Sequence, residues 1–152
     1  MRLPLRRPSA VSLDSIVVIR YLLDTNILSY FIRGNHPPLM RRMVTAMQAQ
    51  TISTSAICRA EIRCGQALMA ANDKRHKPIN LLLLELPALA WTADAADRYG
   101  EIRAQLRQQG APSGEMDTMI AAHALVNKLT LVTHNTRHFE QIEGLVLEDW
   151  TA

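Results

Sequence analysis

The sequence predicts an α/β domain of three layers around a mainly parallel sheet, and three observations carry that prediction. Short apolar or β-branched runs recur at residues 16–23, 51–54, 86–91, 129–133 and 145–147. Stretches of helical periodicity stand between them, the alternation expected of parallel strands joined by crossover helices. The first run stops abruptly at a carboxylate, Asp24, which places an acid at the C-terminal edge of a central strand, where open α/β sheets bind ligands. The chain of 152 residues suits one domain, long enough to bury roughly 70% of its unfolded surface.

Each element follows from local chemistry. Residues 25–33 predict a short helix stopped by Gly34-Asn35-His36-Pro37-Pro38, and residues 39–49 a second one. In that second helix Leu39, Met40, Met43 and Met47 fit a core stripe better than a partner groove. After the strand at 51–54, Ser55 is placed to cap a helix running to Met69. A polar turn over 72–77 precedes a short helix over 78–84. Thr92-Ala93-Asp94 opens the clearest amphipathic helix, with Ala95, Tyr99, Ile102 and Leu106 on one face. A Gly- and Pro-containing loop over 109–114 leads to a helix over 115–128. Residues 129–133 read as a strand, 136–142 as a helix and 145–147 as the last strand.

Composition narrows the class. Hydrophobic residues make up 48% and charged residues 20%, ordinary for a globular core. No apolar run approaches the ~20 residues of a membrane span. Cys58 and Cys64 are six apart, about 240° around a helix, so they predict no disulfide, and a cytoplasmic location is expected. Seventeen basic and 14 acidic residues give a net +3. Much of the excess sits in residues 1–17, a basic extension expected to be disordered, ahead of a domain at 18–150. The extension holds Arg2, Arg6 and Arg7 against Asp14, so the remainder has 14 basic and 13 acidic residues, a net +1. Charge alone therefore argues only weakly for a nucleic acid. One reading of the extension is a misplaced start, with translation beginning near Val18; a mature chain starting at Met1 or Arg2 excludes it.

Three acids stand apart from the polar helix faces. Asp24 ends a buried strand, where a bare carboxylate is costly without a cation or donors, although Asp also caps helices well. Glu61 interrupts a stripe of Ile57, Cys64 and Leu68 at spacings of four, three and four, and its bland alternative is a rim residue paired with Arg59 or Arg63. Asp117 shares a helix face with Ile120, Ala121, Ala124 and Leu125. A helix N-terminus favours that charge by about 0.3–1 kcal/mol, too little against a desolvation cost of several kcal/mol. Asn135 follows the strand at 129–133 directly and is expected at the same sheet edge as Asp24, where an ordinary helix cap is the alternative. Oxygen ligands without sulfur suit Mg²⁺ or Mn²⁺, ions that polarise phosphates and activate water.

At these residues the chain resembles the PIN-domain ribonucleases, in particular the VapC-like toxins of toxin–antitoxin pairs. The segments that carry the likeness are Tyr21-Leu22-Leu23-Asp24-Thr25-Asn26, Ala60-Glu61-Ile62-Arg63-Cys64-Gly65, Met116-Asp117-Thr118-Met119-Ile120-Ala121-Ala122-His123-Ala124, Leu131-Val132-Thr133-His134-Asn135-Thr136 and Gly144-Leu145-Val146-Leu147-Glu148-Asp149-Trp150. The resemblance implies a PIN-like α/β/α fold and magnesium-dependent cleavage of RNA. It also implies a cognate VapB-like antitoxin, homodimers and higher assembly with that partner. Carried over by position, Asp24, Glu61 and Asp117 match the family's acidic triad, and Asn135 stands where many members have a fourth acid. Glu115, two residues before Asp117, faces away from it on a helix and makes a poor substitute. Asp24 and Asp117 would hold Mg²⁺, with Glu61 completing the cluster and orienting or deprotonating the attacking water. Thr133 and Asn135 would position a water or a phosphate oxygen, and Arg137 would contact the RNA backbone. Three rivals remain. One is a catalytically inactive PIN-fold protein acting through an antitoxin/DNA complex. Another is a small-molecule phosphohydrolase, against which the absence of a Gly-rich phosphate loop counts. Zinc on His134 and His138, four apart, lacks a third ligand of the right kind.

Overall fold

The computed structural model describes residues 18–111 and 114–152, so the basic segment 1–17, with the expectation of disorder attached to it, lies outside the described residues. Five strands, β1 (Tyr21–Leu23), β2 (Ile52–Ser55), β3 (Ala88–Leu89), β4 (Thr130–Val132) and β5 (Leu147–Glu148), pair in parallel in the order β3-β2-β1-β4-β5. Six helices connect them: α1 (Thr25–Arg33), α2 (Pro37–Ala49), α3 (Ala56–Ala67), α4 (His76–Glu85), α5 (Ala93–Gln108) and α6 (Glu115–Val126). The result is the predicted α/β/α architecture.

Register is what builds the site. Leu23 stands level with Thr54 on one side and Val132 on the other, and Val132 is level with Glu148. The residues that follow, Asp24, Ser55, Thr133 and Asp149, therefore meet at one edge. The strands that deliver them are buried: Leu22, Leu23, Leu131 and Val132 are fully enclosed. Strand β2 is polar in sequence yet buried throughout, because Ser53 and Thr54 donate their hydroxyls to the Tyr21 and Leu23 carbonyls at 2.9 and 2.8 Å. That satisfies groups that would otherwise be expensive to enclose.

Helix ends follow the local signals. Gly34 closes α1 with a left-handed φ of 70°, a conformation a Cβ disfavours. Ser55 caps α3 by accepting from the Ile57 amide at 3.1 Å, and Thr92 caps α5 by accepting from Ala95. Leu39 and Met43 lie in the core, as the stripe on the second helix predicts.

Two expectations are corrected. The stripe of Ile57, Cys64 and Leu68 is not the buried face of α3: Cys58 and Ile62 are buried, Cys64 is exposed and Leu68 is 84% exposed. The helix leaves directly from the fully buried Ser55, so the strand tip sets its phase, and positions 55, 58 and 62 turn inward. The helix expected over 136–142 is only a 3₁₀ turn at Thr136–His138, after which buried Phe139 and Ile142 pin an irregular segment to the core. No described helix is long and apolar enough to cross a membrane.

Candidate active site

Asp24 is 6% exposed and caps α1, its Oδ1 accepting from the Ile27 amide at 2.9 Å. The cap alternative is thus what the structure shows, on a carboxylate that is buried as a strand tip predicts. The Thr133 hydroxyl donates to the same carboxylate. Burial pushes the Asp24 carboxyl up to about 6, the bonds from Thr133 and Ile27 oppose this, and the charges of Asp117 and Glu61 add to it. Asp117 and Glu61 thus both lie within electrostatic reach of Asp24, although all three are far apart in sequence.

Glu61 is half-buried on α3, and its Oε1 accepts from the Thr25 hydroxyl at 2.7 Å. Thr25 directly follows Asp24, so one strand-to-helix junction supplies one acid and orients another. Neither Arg59 nor Arg63 pairs with Glu61: Arg59 donates to the Leu83 carbonyl at 2.8 Å, and Arg63 to Gln66 and Asn80. Asp117 lies in the first turn of α6 with its side chain 40% exposed, at the rim of a helix whose residues 118 and 120–124 are buried on nearly every side. It is less enclosed than a core-facing stripe predicts, and its Oδ2 lies 3.5 Å from Nδ1 of His138. Glu115 is occupied by Arg103 at 2.7 Å and is exposed, which removes it as a fourth acid.

Thr133 is wholly buried, with its hydroxyl donating to Asp24 and accepting from the Asn135 amide at 3.1 Å. Asn135 stands two residues beyond the tip of β4 at the Asp24 edge, half-buried, and its side chain makes no cap bond to the 3₁₀ turn that follows. Arg137 is exposed in that turn.

Sequence reasoning missed several neighbours. His134 is tied through Nδ1 to Asp149 at 3.2 Å and Thr151 at 3.0 Å, and its ring packs edge-on to Tyr30. With His134 on Asp149 and His138 beside Asp117, the two imidazoles serve different carboxylates. His123 is fully buried, its Nδ1 2.9 Å from the Ser55 Oγ, and burial holds its pKa below the usual histidine value. An isolated histidine in an alanine-rich helix gives no sign of that partner, 68 residues away. A cleft of about 140 Å³ opens beside Glu61, lined also by Thr25, Ser29 and Arg33. A cavity of about 550 Å³ beside Ile19, Gln50, Ile52 and Pro87 sits at the other end of the sheet, where the strands begin.

The donor set fits a hard divalent cation. It is anionic and made of oxygen, and among the described residues none of the three carboxylates has a Lys or Arg ion-pair partner. The carboxylates are neighbours rather than a closed chelate: among the described residues no three His, Cys, Asp or Glu side chains meet at one point. Asp24, Glu61 and Asp117 are the residues that could hold an ion.

A family model for the PIN domain matches residues 21–145, nearly all of the described chain. The chain belongs to the PIN-domain family. This PIN domain is 32% identical over 130 residues to ribonuclease VapC2 of Rickettsia felis, covering 86% of this chain and 97% of that relative. It is 34% identical over 139 residues to the tRNA(fMet)-specific endonuclease VapC of Shigella flexneri, covering 88% and 100%. Its fold superimposes on the DNA-bound VapBC structure of Salmonella typhimurium with a TM-score of 0.80 at 31% identity, covering 87% of this chain and 98% of that one.

Proposed function

We propose that this chain is a divalent-metal-dependent endoribonuclease, the toxin of a VapBC-type toxin–antitoxin pair, working in the cytoplasm with Mg²⁺, or Mn²⁺ in its place. The observation that supports it best is the buried Asp24 carboxyl, pushed up by burial and by the charges of Asp117 and Glu61, with no Lys or Arg ion pair on any of the three among the described residues. The catalytic domain spans residues 18–150, with 1–17 as a basic extension. Asp24 and Asp117 hold the metal and Glu61 completes its shell. Bound there, the ion supplies charge stabilisation for an in-line displacement at phosphorus and acidifies water.

The chain's own residues do the rest. Thr133 and the Ile27 amide hold Asp24 in one orientation, and Thr25 does the same for Glu61. Glu61 orients or deprotonates the attacking water, the role its half-buried carboxylate suits. Asn135 positions a phosphate oxygen or a water, and exposed Arg137 contacts the RNA backbone. The partner is a VapB-like antitoxin, and the chain forms homodimers that assemble further with it.

The test is expression of the chain alone, with RNA ends mapped in the cells and Asp24→Asn as control, followed by assay of the purified protein with Mg²⁺ and with EDTA. Cleavage that EDTA abolishes, and that Asp24→Asn and Asp117→Asn lower at least a hundredfold while remaining folded, is expected. Full toxicity in both variants would rule out the assignment. Metal-independent RNA binding without cleavage would favour the catalytically inactive reading.

A further inference from the structure

We propose that His123 is a positioning residue for the carboxylate cluster: through Ser55 it fixes the helix that carries Asp117 against the helix that carries Glu61. The inference rests on the nuclease reading above.

The geometry is compact. His123 and Ser55 are both completely buried, with Nδ1 and Oγ 2.9 Å apart. Ser55 is at once the last residue of β2 and the N-cap of α3, accepting from the Ile57 amide at 3.1 Å. Glu61 lies six residues after Ser55, and Asp117 six residues before His123, each about 9 Å along its helix. One hydrogen bond therefore joins the root of the element bearing one acid to the body of the element bearing the other. A metal site tolerates only about 0.5 Å of looseness in its ligands, and supporting bonds outside the ligand shell set that tolerance.

The choice of residue strengthens the case. His123 is flanked on α6 by buried Ile120, Ala121, Ala122 and Ala124, an apolar setting. An aliphatic side chain of similar volume would pack there without desolvating two ring nitrogens. The imidazole instead leaves Nε2 buried without a hydrogen-bond partner among the described residues. Buried polar groups left short of partners are destabilising. A polar group kept where packing alone prefers an apolar one points to a geometric duty. Either tautomer keeps the link, since the Ser55 hydroxyl can donate to Nδ1 or accept from it and still has a lone pair for the Ile57 amide.

The experiment compares the full chain with His123→Leu, which keeps bulk and removes the bond, and His123→Asn, which returns a polar atom near the Nδ1 position. Three quantities are measured: the thermal midpoint, the affinity for Mn²⁺ alone by calorimetry, and kcat and KM on RNA. The leucine variant should melt within a few degrees of the wild type, yet bind Mn²⁺ ten- to a hundredfold more weakly and lose kcat with KM held. Asparagine should restore most of both, and Ser55→Ala added to the leucine variant should weaken Mn²⁺ binding no further, because both break the same link, and should lower only the thermal midpoint, by the lost cap of α3. A folded leucine variant with wild-type Mn²⁺ affinity and kcat overturns the proposal, as does an asparagine variant no better than leucine. If leucine prevents folding, Ser55→Ala cuts the same link from the other end, and wild-type Mn²⁺ affinity there overturns it equally. A wild-type protein that neither binds Mn²⁺ nor cleaves RNA removes the nuclease reading and this inference with it.

Discussion

Replacing Asp24 by asparagine should make the metal-free protein more stable at neutral pH while abolishing its chemistry. Burial, followed by the charges of Asp117 and Glu61, raises the Asp24 carboxyl from 3.8 to about 6. Keeping such a group ionised at pH 7 costs the folded state about 3 kcal/mol. Asparagine is as good a cap as aspartate and keeps the bond from Ile27. It offers one acceptor oxygen where the carboxylate offers two, so the weakened Thr133 bond returns about 1 kcal/mol of the gain. The net is about 2 kcal/mol, or about 4–8 °C in the thermal midpoint for a chain of this size. A folded pKa above the unfolded one contributes stability that is present below about 4 and lost as pH rises through about 6. The advantage of the variant should accordingly be full at pH 7.5 and vanish near pH 4. Melts followed by circular dichroism in EDTA at both pH values check this. A variant less stable than wild type at pH 7.5, or a gap that does not change with pH, refutes the electrostatic account of the site.

Three further outcomes are expected. Mg²⁺ at a hundred times its dissociation constant should stabilise the wild type by about 2.7 kcal/mol in thermal melts but leave Asp24→Asn and Asp117→Asn unmoved; equal shifts in all three would place the ion elsewhere. A thiol-reactive chromophore should label exposed Cys64 at once and spare Cys58, whose thiol burial pushes up to about 11, until the chain unfolds; two native labels would contradict the packing of α3. Thr25→Val removes the donor that orients Glu61 and should lower kcat about tenfold, one lost hydrogen bond to a charged group, with unchanged kcat arguing that Glu61 needs no such support.

Much of this was legible in the chain itself, and for reasons that are local. The bounds of α1 follow from Asp24 before it and Gly34 after it, and the cap at Ser55 follows from a hydroxyl placed between a β-branched run and a helical one. Asp24 was legible as a buried strand-tip acid, but the sequence alone did not separate that reading from a plain helix cap, and in the structure it is both. The phase of α3 was harder to read. Cys64 and Leu68 look like core by composition, but the direction in which a helix leaves its strand, and not its apolar content, decided which side faces in. Helix α6 defeats periodicity in the opposite way, since a helix buried almost all round has no polar face to locate its apolar one. Pairings such as Thr25 with Glu61 or His123 with Ser55 are properties of the assembled sheet and leave no trace in either residue's neighbourhood.

The strand order has a consequence for the timing of synthesis. The middle strand, β1, is the first to leave the ribosome, and it gains its neighbour β4 only near the end of translation. Until then Asp24 lacks the hydroxyl of Thr133, and Asp117 belongs to a helix made just before that strand. A nascent or prematurely terminated chain thus carries individual acids but no assembled cutting edge.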